Sequence, residues 1–130
     1  MLLFGHRFIE SENFYHIIDS EAISKTPPNA TIYIEFKENN LDIIKNLNEN
    51  RVTFALSINT LTELIYASSL DATYIIVTQE LAKSAQNIAE SYLFDSKILV
   101  SIESEESIEE IAELGIDGVI FSNAIIKINS

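Results

Sequence analysis

Residues 52–78 read VTFALSINTLTELIYASSLDATYIIVT, one complete strand–helix–strand repeat. Val52–Ile58 is an apolar, β-branched run of strand character, and Thr73–Thr78 (TYIIVT) is a second. Between them, Thr60-Leu61-Thr62-Glu63 is a capping box, whose hydroxyl and carboxylate can satisfy the free N–H groups at a helix start. Leu64 and Ile65 follow as its apolar residues. Strands joined by a helical crossover run parallel, with a right-handed connection.

The same unit repeats on both sides. Thr31–Phe36 (TIYIEF), Lys97–Ile102 (KILVSI) and Gly118–Ser122 (GVIFS) are further strand candidates, and successive starts lie about 20 to 24 residues apart. Leu41, Ile43, Ile44 and Leu47 form a helical stripe after Asn39 and Asn40, both good N-cap residues. Leu81, Ala85, Ile88 and Tyr92 recur at helical spacing and mark the longest helix. Ser104 caps another, with Glu105 and Glu106 in the first turn, Ile108 and Ile111 inward, and Gly115 at its end. Residues 1–30 are less regular. Leu2–Ile9 and Tyr15–Asp19 are candidate short strands, and Thr26-Pro27-Pro28-Asn29 is a break. The chain therefore reads as one α/β domain over 1–130, an irregular segment 1–30 followed by repeated βα units over 31–122.

Two architectures contain such repeats. A doubly wound sheet carries helices on both faces, so its central strands are apolar on both. A barrel or part-barrel carries helices on one face, and its inner face can turn polar toward the strand ends. One strand register here is apolar: Ile32, Ile34, Phe36; Val52, Phe54, Leu56, Ile58; Ile98, Val100, Ile102. The other is mixed: Thr31, Tyr33, Glu35; Thr53, Ala55, Ser57, Asn59; Lys97, Leu99, Ser101, Glu103. The pattern favours a parallel part-barrel, half a TIM barrel in size, over a flavodoxin-like sheet. An open part-barrel leaves edge strands and one sheet face uncovered, and self-association would cover them.

Composition narrows the function. The chain has 130 residues, 8 Lys plus Arg, 20 Asp plus Glu, and a formal charge of −12. Nucleic acids and anionic membrane surfaces call for clustered cations, and here the cations are scattered. No apolar run approaches the ~18 residues of a membrane span, and Met1–Ile9 lacks the form of a signal peptide. The chain holds no Cys, which removes disulfides, thiolate metal sites and thiol nucleophiles. A cytoplasmic protein is the simplest expectation.

In parallel α/β folds, sites form at the C-terminal ends of strands. Those ends present Glu35 and Lys37, a conceivable acid–base pair, with Ser57, Asn59, Thr78, Glu103, Ser122 and Asn123 as binding groups. The plainer alternative is that these are ordinary polar caps. Phosphate sites need Gly-rich turns, and the turn Glu103-Ser104-Glu105-Glu106 would repel phosphate. His6 and His16, with Glu10, Glu12 and Asp19, match no metal-ligand spacing. No metal or other cofactor is expected. Glu105, Glu106, Glu109, Glu110 and Glu113 form an acidic face, either solvated or a docking surface for a basic protein.

The segment Val100–Val119 (VSIESEESIEEIAELGIDGV) carries a resemblance. Glu103, Glu105 and Glu106, then Glu113, Leu114, Gly115, Asp117 and Val119, resemble a late strand–helix–strand of EAL-type cyclic di-GMP phosphodiesterase domains. Upstream, Ile32–Glu38 is similar to that family's strand ending in a metal-ligand Glu, here matched by Glu35. The same stretch with Gly115–Ile126 also resembles the last strands of phosphate-binding barrels such as the tryptophan synthase α subunit. The family's Asp pair is replaced by Ser57 and Ile58, no Lys stands in Thr73–Thr78, and the later Gln falls at Ile120. The Glu-Ala-Leu signature is missing. The resemblance implies a shortened relative without the carboxylates that two-metal phosphodiester cleavage needs.

The leading expectation is a non-catalytic interaction domain that self-associates. The alternative is a small-molecule-binding protein or enzyme with its site at the strand ends.

Overall fold

The structure is a computed structural model and describes residues 1–128. Eight strands are present: β1 (Leu2–Phe4), β2 (Phe14–His16), β3 (Thr31–Glu35), β4 (Phe54–Ser57), β5 (Tyr74–Val77), β6 (Lys97–Ile102), β7 (Gly118–Phe121) and β8 (Ile125–Lys127). The main helices are α1 (Leu41–Glu49), α2 (Leu61–Ser69), α3 (Gln79–Ser91) and α4 (Ile108–Glu113). All strand pairs are parallel, in the order β1-β7-β6-β5-β4-β3-β2-β8.

This order forces the sheet to curl. β7 and β8 are six strand positions apart, ~29 Å in a flat sheet at ~4.8 Å per strand. Yet only Ser122–Ala124 separate them, and four residue steps reach at most ~14 Å. The passage Gly118–Lys127 therefore serves both ends of one curled sheet. Phe4 of β1 and Phe14 of β2 confirm the curl, with ring centroids 5.0 Å apart. Gly5 permits the close approach: its φ is +87°, and an added Cβ would lie 3.0 Å from Ala124 Cβ. The result is the half-barrel-like α/β fold expected from the two strand registers.

Two cores follow from those registers. The outer one packs Ile32, Ile34, Phe54, Leu56, Ile75, Val77, Ile98 and Val100 against Ile44, Leu47, Leu64, Ala82, Ala85 and Ile111 of the helices. The inner one joins Phe4, Phe14, Ala55, Ile76, Leu99, Ile120 and Ala124, with Tyr33, Tyr74 and Ile125 against them. The inner face is thus filled by the protein's own aromatic and aliphatic side chains. That removes the uncovered face from which self-association was argued.

Local chemistry sets the helix starts. Thr60 Oγ1 accepts from Glu63 N at 3.1 Å, while Glu63 Oε1 accepts from Asn59 N at 2.8 Å, a capping box shifted back by one residue. Ser104 caps as expected, accepting from Glu106 N at 3.2 Å. Asn40 does not cap α1 through its side chain; its Nδ2 donates to Glu35 O at 2.8 Å and ties the helix start to the end of β3. Tyr92 is not the inward end of its stripe. It follows α3 as the C-cap residue and is 75% exposed.

The N-terminal segment proves more ordered than its sequence suggests. β1 adds beside β7, and β2 lies between β3 and β8. The strands are short because Gly5 turns the chain after Phe4, and His16 is followed within three residues by Asp19, the cap of a 3-10 turn at Ser20–Lys25.

Candidate functional site

The inner face changes character at the C-terminal ends of the strands. Side chains alternate along a strand, so residues two apart share a face. Along β2 the buried Phe14 gives way to the partly exposed His16. Tyr33 gives way to Glu35, Ala55 to Ser57, Ile76 to Thr78, Leu99 to Ser101, and Ile120 to Ser122. Apolar filling thus stops one step below the mouth, and a polar ring takes over.

The ring is densest around β8, β2 and β3. Register pairs His16 with Lys127 on one side and with Tyr33 on the other. The His16 and Tyr33 rings stack edge-on, with centroids 4.8 Å apart. Glu35 pairs in register with Ser57, and Tyr33 is hydrogen-bonded to the Ser57 side chain. Lys37 Nζ meets Glu35 Oε2 at 3.1 Å. A cleft of about 200 Å³ opens here, lined by His16, Ile17, Ile18, Glu35, Lys37, Asn39 and Asn40.

The titratable groups respond to this setting. Burial, chiefly, holds the His16 imidazole below its ordinary value; Glu35 opposes the shift, while Lys127 and Lys37 add to it. Burial also raises the Tyr33 phenol, with the Ser57 hydrogen bond opposing and Glu35 adding to the rise. Both groups are held in their neutral forms, so the site offers a neutral imidazole and a phenol O–H beside two ammonium groups.

The residues expected from sequence fall into three sets. Glu35 and Lys37 meet at the cleft, and Ser57 stands beside Glu35 in register without lining it. Thr78 and Ser122 lie on other sectors of the mouth. Asn59, Glu103 and Asn123 are exposed outside the cluster: Asn59 N donates to Glu63, and Asn123 Nδ2 donates to Gly5 O at 2.9 Å. His16, Tyr33 and Lys127 stand in the ring outside that set, while Ser101 belongs to the strand ends read from the sequence with Glu103. Stepping two residues beyond each inward apolar residue finds His16. Lys127 had no such signal, because β8 joins β2 only through the curl.

The other mouth sector is covered by the turn after β1. Glu105 Oε2 lies 2.9 Å from His6 Nε2, and Glu105 Oε1 lies 3.1 Å from Arg7 Nη2. These bonds, Arg7 foremost, hold the Glu105 carboxyl below its usual range. His6 also packs against Phe121, with centroids 5.6 Å apart. Glu105 is therefore engaged within the chain, while Glu106, Glu109, Glu110 and Glu113 stay exposed. Among the described residues, no group of three or more His, Asp or Glu side chains is placed to hold a metal ion, and no helix is long and apolar enough to cross a membrane.

Comparison with known proteins adds no relative: no protein-family model and no curated protein sequence matches the chain.

Proposed function

We propose that this protein is a small-molecule-binding domain whose ligand sits at the C-terminal mouth of the curled sheet. The observation that carries this reading is the switch of inward side chains from apolar to polar at the ends of six strands, centred on His16, Tyr33, Glu35, Ser57 and Lys37. In this reading Glu35 orients the ligand and Lys37, Ser57 and Tyr33 bind it. Thr78, Ser122 and the more distant Asn59, Glu103 and Asn123 form the outer rim. Descent from EAL-type barrels fits the same reading: Glu35 survives as a single carboxylate, and Ser57 beside it leaves a binding site rather than a two-metal centre.

The test is a thermal-shift screen with polar metabolites, repeated on Glu35→Gln and Ser57→Ala. A ligand at 100 times its dissociation constant adds about 2.7 kcal/mol of stability. For a chain of this length the midpoint should rise by roughly 8–15 °C. Shifts lost in both variants support the mouth as the site. Shifts that survive both variants move the site elsewhere.

A second reading, action through protein contact and self-association, has its own observation. Phe36, Leu41, Tyr66 and Leu70 line an apolar groove of about 390 Å³ between the α1 and α2 regions. Sedimentation over a range of concentrations tests it, and a monomer throughout the micromolar range removes the self-association.

A further inference from the structure

We propose that the corner formed by His16, Tyr33, Lys37 and Lys127 binds the terminal anionic group, a carboxylate or phosphate, of a small organic acid. This rests on the ligand-binding reading above and names the class of ligand.

Charge is the first argument. The chain carries −12 overall and only 8 Lys plus Arg, yet two of the eight flank one corner. Glu35 neutralises Lys37 at 3.1 Å. Lys127 makes no ion pair among the described residues. Two ammonium groups against one carboxylate leave the corner positive in an acidic protein.

Geometry is the second. In parallel pairing, side chains in register point to the same face, so Lys127, His16 and Tyr33 stand side by side. A cation, an imidazole and a phenol in a row supply a charge and directional N–H and O–H donors to the oxygens of one anion. Lys37 closes the row from the end of β3. Size is the third argument. The cleft beside the row, lined by His16, Glu35 and Lys37 and not by Tyr33 or Lys127, measures about 200 Å³, below the ~300–1,000 Å³ of sites that enclose drug-sized ligands, so it suits a short acid or the head of a larger one. Ile18 lines the cleft while 74% exposed, giving a short aliphatic body a wall to lie against.

The experiment is a calorimetric titration of the whole chain at fixed ionic strength with sulfate, inorganic phosphate and short dicarboxylates. The His16 ring is followed in parallel by NMR. The expected result is saturable one-site binding that shifts the His16 resonances. Lys37→Gln combined with Lys127→Gln should weaken binding by about tenfold or more, while Lys83→Gln on α3 leaves it unchanged. Both corner lysines are exposed, so the double variant should keep its fold, checked by its melting curve. Sulfate against phosphate against dicarboxylate then separates the two head groups. Equal anion affinity in the double variant overturns the proposal. So does a failure of all anions while neutral polar molecules bind and depend on Glu35 and Ser57; that outcome leaves the ligand-binding reading standing. If neither class binds, both fall.

Discussion

Phe4 and Phe14, on strands six places apart in the sheet, hold their ring centroids 5.0 Å from one another. Tyr74 completes the group at 5.5 Å from Phe4 and 5.2 Å from Phe14. These rings fill the inside of the curl, and Phe14 is 0% exposed. Replacing Phe14 with Ala should cost about 3–5 kcal/mol, the transfer of the ring plus the cavity it leaves. Urea unfolding measures this directly. A loss below about 1 kcal/mol would mean that the inner core does not hold the sheet in its curl.

Gly118 sets the seat of β1. A Cβ added there would lie 2.7 Å from both Leu2 Cβ and Leu2 O, and 2.8 Å from Leu99 Cδ2. Backbone on one side and a core Leu on the other leave nothing cheap to move. Gly118→Ala should destabilise the protein by about 1–3 kcal/mol. Amide hydrogen exchange should accelerate first in Leu2–Phe4, the strand that must yield.

Asp117 has a structural duty that its place in the Gly-Ile-Asp-Gly-Val motif conceals. Its Oδ2 accepts from Ile98 N at 2.9 Å, and its own N–H donates to the buried Gln86 Oε1 at 3.0 Å. Asp117→Ala leaves the Ile98 N–H at the start of β6 without its acceptor, at a cost of about 1–3 kcal/mol. Asp117→Asn keeps a neutral acceptor and should lose less. Thermal melts of the two variants give the comparison, and equal melting of Ala and Asn would show that the hydrogen bond contributes little.

His16 should titrate below ~6.5 in NMR, because burial disfavours the imidazolium. Removing Lys127 as Lys127→Gln should raise the midpoint, and Glu35→Gln should lower it further, following the signs of their charges. The folded midpoint lies below the unfolded one. His16 therefore contributes stability that is complete above the unfolded value and is lost as pH falls through the folded one. A midpoint at or above the unfolded value would contradict the burial.

Glu105 joins the turn after β1 to the chain just before α4. Glu105→Gln removes the charge that holds Arg7 and His6. The exposed residues Phe8 and Ile9 of that turn should become faster targets for limited proteolysis, with little change in the global melting temperature.

Much of the fold was legible because its two strand registers differ so sharply. Ile32, Ile34 and Phe54 could only face helices, and Ala55, Leu99 and Ser57 had to line the other side. Glu35, Lys37 and Ser57 were legible as strand ends. What escaped were features made by the curl. β1 and β2 fall at the candidate strands Leu2–Ile9 and Tyr15–Asp19 but are only three residues each, and β8, equally short, has no periodicity to register. Lys127 is brought beside His16 by pairing between distant parts of the chain. Asn40 satisfied an N-cap rule, yet found a carbonyl on β3 nearer to hand.

The passage Gly118–Lys127 has a consequence for how the molecule is made. A ribosome emits β1 to β6 before the stretch that joins both ends of their sheet. Until then β1 has no neighbour to pair with, β2 lacks one of its two, and the aromatic residues meant for the interior have no enclosure. Pairings between distant parts of the chain form slowly. Closure of the sheet accordingly waits for Gly118–Lys127, and until that passage pairs the chain carries adhesive strand edges on view.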